Sequence, residues 1–337
     1  MTPKRRIIPI FVPHLGCPHA CVFCNQKRIS GALSPAEPED VIRQITEGLE
    51  KTEKGTEVEA AFYGGSFTAI PPGEQEALLG AALPFLRSGE LSSIRLSTRP
   101  DCIDEETLAR LKCFGVETVE LGVQSMKKEV LEASERGHTP QDAEKAARLI
   151  KDAGFKLILQ MMTGLPGDTP EFSVYTAEKL AEMKPDGVRI YPTVIIKDTP
   201  LYDMWRAGEY KEHTVEEAAE LCARLLDIFE AAGIPVIRLG LNPTEELSGG
   251  AAAGGAYHPA FGEIAASKRY FKKACSAIER AGAAEKMTLI VAPGQISAAT
   301  GQKRANTEAL CRKYGIKRLK IKEGDVKKGE ISVFPGS

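Results

Sequence analysis

No uninterrupted apolar run in this chain reaches the roughly 20 residues that a membrane-spanning helix requires. Neither sign of charge dominates. Lys and Arg number 44 against 46 Asp and Glu, a formal net charge of −2, so the global field predicts no polyanionic partner. A disulfide framework is also missing, because five of the eight cysteines are scattered singly along a long chain. A secretory leader is not expected either. Behind the basic stretch Met1-Thr-Pro-Lys-Arg-Arg6, the apolar segment holds two prolines and runs straight into cysteines. These absences argue against membrane proteins and secreted disulfide scaffolds, and they predict a cytoplasmic protein with no membrane partner. What is present is 337 residues, 43% hydrophobic and 27% charged, enough for one large domain or a large and a small one.

Short apolar runs alternate with amphipathic stretches. Ile7–Val12, Glu59–Tyr63, Ile94–Thr98, Thr118–Val123, Lys156–Met161, Gly187–Tyr191 and Pro235–Leu239 read as strands. Glu74–Leu86, Asp104–Phe114, Gln141–Ala153, Phe172–Met183 and Val215–Ala232 read as helices, with apolar residues three and four apart. The spacing is that of a βα unit, which predicts an α/β fold, either a parallel barrel or a doubly wound sheet. There is no internal repeat beyond that unit. After Leu239 the rhythm changes. The small-residue run Leu247–Ala256 is not expected to hold a regular element. A helix near Phe261–Ala281, a strand at Thr288–Val291, a helix at Gln302–Tyr314 and a basic, hairpin-like stretch from Lys317 to Phe334 follow. The expected domains are therefore residues 1–240 and a small α/β appendage at 241–337.

The most specific local pattern is Cys17-Pro-His-Ala-Cys21-Val-Phe-Cys24. It offers three thiolates and no obvious fourth, whereas a closed structural zinc site takes four ligands. A 4Fe–4S cluster held by three cysteines leaves one iron open. Gly16 and Pro18 favour a loop here, and Phe23 would shield a cluster face. A zinc site completed by His14 or His19 is the competing reading. Cys102, Cys113, Cys222, Cys275 and Cys311 share no ligand spacing and read as small core residues.

Polar residues gather at the strand ends. Gly64-Gly65-Ser66 follows the second strand, and paired glycines there admit a close backbone approach or simply a tight turn. Ser97, Thr98 and Arg99 end the third, where Arg99 would meet a carboxylate by a two-pronged hydrogen bond or else cap a loop. Glu120 and Gln124 lie four apart in the fourth strand and are expected on one face. Gln160, Arg189 and Tyr191 fall near strand C-terminal ends, where barrel active sites lie. His138 reads either as a ligand contact or as a loop residue ahead of a helix.

The cysteine spacing resembles the signature of radical S-adenosylmethionine (radical SAM) enzymes. Arg99-Pro-Asp101, Val119–Ser125, Arg136-Gly-His-Thr139, Gly164-Leu-Pro-Gly167 and Arg189-Ile-Tyr-Pro192 followed by Thr199-Pro-Leu-Tyr202 resemble the radical SAM domain of the Elongator catalytic subunit family. Gly-Val-Gln-Ser and Arg-Gly-His-Thr also occur in oxygen-independent coproporphyrinogen oxidases. The resemblance runs from about residue 8 to 240 and implies a partial (β/α)6 TIM-type barrel. It implies a 4Fe–4S cluster on Cys17, Cys21 and Cys24, and S-adenosylmethionine as cofactor near Gly64, Gly65, Ser66, Ser97, Arg99, Gln124, Gln160 and Arg189. It also implies an external flavodoxin- or ferredoxin-type electron donor, and a 5′-deoxyadenosyl radical that takes hydrogen from substrate. RNA, tRNA in particular, is the favoured substrate. A small metabolite, or a non-enzymatic cluster-stabilised RNA-binding protein, is the alternative. Two departures stand against the Elongator pattern. The cysteine spacing is more compact, and the residues after Leu239 hold no pyrophosphate-binding glycine loop. The acyl-donor half of that chemistry is therefore not expected.

In the appendage, Lys303 and Arg304 are expected at a helix N-terminus, an arrangement that favours anions, or in an ordinary polar loop. Lys317-Arg318-Leu-Lys320-Ile-Lys322 alternates as a half-buried strand would, either touching RNA phosphates or guarding a sheet edge. Tyr257 and His258 would reach over the barrel mouth.

Overall fold

The computed structural model describes residues 4–12, 17, 19–25 and 36–336. It divides into two compact units, one running as far as Glu212 and resuming at Ile228–Tyr257, the other formed by His213–Asp227 and the chain from His258 onward.

The first unit is built on β1 (Arg5–Phe11), β2 (Glu57–Tyr63), β3 (Ser93–Thr98), β4 (Val116–Gln124), β5 (Lys156–Thr163), β6 (Gly187–Pro192), the short β7 (Val194–Ile196) and β8 (Val236–Leu239). All but β7 pair in parallel in the order β1-β2-β3-β4-β5-β6-β8. β1 and β8 do not pair with each other, so the sheet is a partial barrel, open along one side.

Alternation in the strands sets its two faces. Ile8, Ile10, Ala60, Phe62, Ile94, Leu96, Val119, Leu121, Leu157, Leu159, Val188 and Ile190 are all buried on the helix-covered face. The intervening residues on the concave face are mostly polar and half-buried: Glu59, Tyr63, Arg95, Ser97, Gln160, Arg189 and Tyr191.

Helix starts follow a simple chemical device. Thr139-Pro140, Thr169-Pro170 and Thr199-Pro200 each open a helix. The threonine Oγ1 accepts from a backbone N–H of the first turn, and the proline supplies a preset φ where no N–H is needed. The strands and helices expected for this unit are present within a few residues. One expectation is corrected. Within the small-residue run, Ala252–Gly255 forms β9, antiparallel to β7. The fully buried Ile195 supplies the apolar packing that this segment lacks.

In the second unit, Phe261–Ala281 and Ala305–Tyr314 are helices, and β10 (Lys286–Val291) lies between β11 (Arg318–Glu323) and β12 (Ile331–Pro335). The terminal stretch is thus not a hairpin. β11 runs parallel to β10, and β12 is antiparallel on the other side of β10. The second helix also starts later than expected. Lys303 and Arg304 adopt φ of 49° and 66°, so both sit ahead of the helix that begins at Ala305. Met287, Leu289 and Leu319 pack with Ala274, Ile278 and Leu310 into this unit's core. His258 Nδ1 accepts from the Ala260 N–H at 3.0 Å, just ahead of the helix starting at Phe261. In the first unit, Tyr257 Oη and Ser248 Oγ lie 2.9 Å apart.

Candidate functional site

The three cysteines of the octapeptide follow β1 and carry no disulfide. Cys17 is exposed, Cys21 buried and Cys24 half-buried. His14, Gly16 and Pro18 lie outside the described residues, so the zinc reading through His14 has no structural counterpart to describe. Among the described residues, no three His, Cys, Asp or Glu side chains gather at a single metal-ion point.

The cysteine segment is tied to the strand ends at two places. Cys17 Sγ lies 3.9 Å from Ser66 Oγ, in the loop after β2. Arg136, 8% exposed, donates from Nη1 to Cys21 Sγ at 3.3 Å and from Nη2 to the Gly122 carbonyl at 2.7 Å. A hydrogen bond from a guanidinium suits an anionic sulfur. The turn itself closes with a bond from the Cys24 N–H to the Cys21 carbonyl, and Val22 N–H donates to the Ser134 carbonyl.

Two glycines make these approaches possible. Gly64 has φ +106°, a backbone conformation that L side chains rarely adopt, and a Cβ there would lie in van der Waals contact with the Val12 backbone. Gly137 has φ +80°, and a Cβ there would run into the His19 ring.

Arg99 is 1% exposed. Its Nε and Nη2 grip the Asp101 carboxylate at 2.9 and 3.0 Å, and Nη2 also donates to the Arg136 carbonyl. The two-pronged hydrogen bond expected of Arg99 is therefore made inside the protein, leaving Nη1 buried without a protein partner. His138 is buried as well. Its Nε2 lies 3.1 Å from the Val123 carbonyl, while Nδ1 has no partner. Burial, helped by the nearby Arg136 and Arg99 charges, pushes its pKa down to about 4 from an ordinary 6.5. As pH falls below about 6.5, the unfolded chain takes up a proton that the folded imidazole refuses. Stability is then lost progressively until about pH 4, by about 3 kcal/mol in total. Urea midpoints measured across that window for the native chain and His138→Gln should show the slope only in the former. An equal acid limb in both would remove His138 as its cause.

Deeper on the concave face lies a four-charge cluster. Glu120, 2% exposed, receives at Oε1 the Tyr63 hydroxyl at 2.9 Å, Arg95 Nη1 at 2.8 Å and Arg189 Nη2 at 2.8 Å. Arg95 also pairs with Glu59, which accepts from Ser93 Oγ at 3.1 Å. Arg189 Nη2 also donates to the Tyr63 hydroxyl at 2.9 Å, and its Nη1 lies 3.4 Å from the Tyr191 hydroxyl. Burial opposes both guanidinium charges, but Glu59 with Glu120 outweighs it at Arg95, and Glu120 at Arg189, so both pKa values lie above the ordinary one. Burial, reinforced by Glu120, holds the Tyr63 hydroxyl well above the usual phenol range, so it remains a donor. Two carboxylates thus face two guanidinium groups. Ser97 stands in register beside Glu120 at the same depth.

The four-residue spacing of Glu120 and Gln124 does not carry the face argument, because the β4–β5 register shifts between Gly122 and Gln124 and Gln124 has φ 67°. Gln124 nonetheless accepts from Gln160 Nε2 at 3.4 Å.

The structure therefore places Ser66 with Cys17, Gln124 with Gln160, and Arg189 with Glu120 and Tyr63. Sequence reasoning missed Glu59, Tyr63 and Arg95, whose signal was charge and hydroxyl at alternate strand positions. It also missed the contact of Arg136 with Cys21, which joins residues 115 positions apart and leaves no local trace.

A family model described as the radical SAM superfamily matches residues 11–179, and one described as the radical SAM C-terminal domain matches residues 185–273. The tRNA uridine(34) acetyltransferase of Methanocaldococcus jannaschii is 31% identical over 245 residues, covering 61% of this chain and 45% of that protein. Human Elongator complex protein 3 is 35% identical over 190 residues, covering 50% of this chain and 35% of that protein. The chain thus spans less than half the length of these curated relatives. The archaeal Elp3 of Methanocaldococcus infernus, solved with residues 1–46 deleted, shares the fold at a TM-score of 0.61 and 23% identity, covering 81% of this chain and 68% of that one.

Proposed function

The chain belongs to the radical SAM superfamily, and on that footing we propose that this enzyme holds a 4Fe–4S cluster on Cys17, Cys21 and Cys24, binds S-adenosylmethionine beside it, and acts on RNA, tRNA in particular. One observation carries the cluster assignment: three cysteines outside any disulfide follow the first strand, and a buried guanidinium donates to the sulfur of Cys21. These residues fit the group, since cluster ligation takes thiolates with hydrogen-bond donors aimed at the sulfurs.

Held by Cys17, Cys21 and Cys24, such a cluster would supply one-electron reductive cleavage of S-adenosylmethionine, the source of hydrogen-abstracting radical chemistry in this reading. The chain's own residues bind and orient. Arg136 holds Cys21 in place. Gly64, Gly65 and Ser66 give the cofactor a close backbone and a hydroxyl. Arg99 meets it through Nη1, the one guanidinium nitrogen that Asp101 and Arg136 leave without a partner. Gln124 and Gln160 act as a linked pair, and Ser97 and Arg189 line the concave face beside them. The RNA assignment draws on the archaeal relative, which is named a tRNA uridine(34) acetyltransferase.

An external flavodoxin- or ferredoxin-type protein supplies the electron in this reading, and the reducing cytoplasm suits an accessible cluster. No helix among the described residues is long and apolar enough to cross a membrane.

The test is oxygen-free reconstitution with iron and sulfide, followed by incubation with S-adenosylmethionine, a chemical reductant and tRNA. About four irons per chain, broad brown absorption and 5′-deoxyadenosine release that rises with tRNA are expected. One zinc and no colour would sink the cluster assignment, and release indifferent to RNA would sink the substrate.

A further inference from the structure

The second unit's sheet buries one face and leaves the other open. Register places Lys286, Thr288 and Ile290 of β10 beside Arg318, Lys320 and Lys322 of β11, and Thr288 and Ile290 beside Phe334 and Ser332 of β12. Partners in register share a face. On this face Lys286, Arg318, Lys320 and Lys322 are exposed, and Phe334 is 55% exposed. These rows contain no carboxylate, and none of the four cations makes an ion pair among the described residues.

The surrounding charge points the same way. The second unit, residues 213–227 and 258–337, holds 17 Lys and Arg against 11 Asp and Glu, whereas the first unit holds 27 against 35. The near-neutral whole is the sum of an acidic part and a basic one. Lysines on an edge strand often guard against strand addition. That explains Lys320 and Lys322, but not a large aromatic left in water two strands away on the same face.

Cations spaced about 6.6 Å apart along a strand, next to an exposed ring on the same sheet, form the platform on which unpaired bases stack while their phosphates are neutralised. The geometry points to this open face as a binding surface for a single-stranded segment of RNA. Lys286, Arg318, Lys320 and Lys322 hold its phosphates, and Phe334 stacks on a base. The choice of RNA rests on the substrate class proposed above; the surface itself does not depend on the cluster.

The 337-residue protein, reconstituted without oxygen, is titrated into labelled oligouridylate of about 12 nucleotides, a length within the range such platforms cover. The titration is repeated between about 50 and 200 mM salt. With four cations engaged, the slope of log K against log salt is expected near −3 (about −0.7 per single-strand phosphate contact). The triple variant Arg318→Ser, Lys320→Ser, Lys322→Ser is expected to bind at least about ten-fold more weakly, with a slope near −1. Phe334→Ala is expected to lose about five-fold or more with the slope unchanged. Both variants should keep the native melting profile, since they alter exposed positions only.

Binding unaltered by either variant, or no binding, would overturn the assignment. So would preference for oligothymidylate, for polyglutamate or for phosphatidylserine vesicles. Equal binding of oligothymidylate supports a single-strand platform indifferent to the sugar. Iron content and substrate-free 5′-deoxyadenosine release are measured on the same variants after reconstitution. Loss of RNA binding with both retained supports the surface. Failure of those two measurements in the native chain, with RNA binding intact, sinks the cluster reading alone.

Discussion

Glu120→Gln should cost about 3–5 kcal/mol of folding stability, a large part of the margin by which a domain of this kind is stable. The glutamine keeps the shape and an acceptor oxygen, so the loss measures charge. In the native chain one carboxylate oxygen serves Tyr63, Arg95 and Arg189 at 2.8–2.9 Å. The two guanidinium side chains are only 13% and 12% exposed. Removing the carboxylate leaves one surplus positive charge in a region that water reaches poorly. Urea denaturation with an unchanged m-value is the measurement. A second variant guards against misreading. Adding Arg189→Gln restores neutrality and should make the double loss smaller than the sum of the single losses by at least about 1 kcal/mol. A Glu120→Gln loss under about 1 kcal/mol would mean that solvent in the open barrel already screens these charges.

Cys21→Ser should lower 5′-deoxyadenosine formation by more than about a hundred-fold, beyond what loss of an outer hydrogen bond costs a metal site. Iron content after reconstitution should fall with it. Serine keeps an oxygen for the Arg136 guanidinium, so the fold and its melting profile should be spared. Cys102→Ser is the matched control. Burial, reinforced by Asp101, pushes the Cys102 thiol up to about 11, so it stays protonated and is a poor ligand. Full iron retention in Cys21→Ser, or full loss in Cys102→Ser, would reassign the ligands.

The strand skeleton was legible because a sheet covered by helices demands continuous apolar alternation, and Leu121, Leu159 and Ile190 meet that demand locally. The radical SAM family was legible because its cysteine octapeptide and strand-end strings are contiguous in the chain. Partners distant in sequence were not. β9 lacks propensity of its own and exists through Val194–Ile196. The pairing of β11 with β10 depends on a helical crossover that residue periodicity does not encode. The Arg95–Glu120–Arg189 cluster draws on three strands; Glu120 and Arg189 stood out one at a time, but nothing in the sequence joined them to each other or to Arg95. The basic character of residues 258–337 was available by counting, but the total for the whole chain hid it.

Balanced guanidinium and carboxylate groups give the concave face of the barrel almost no reach beyond contact range, because opposite charges this close cancel within a few ångströms. Such a chamber can orient a guest once it has arrived but cannot summon one. Added salt should therefore leave the handling of a guest inside the chamber almost untouched.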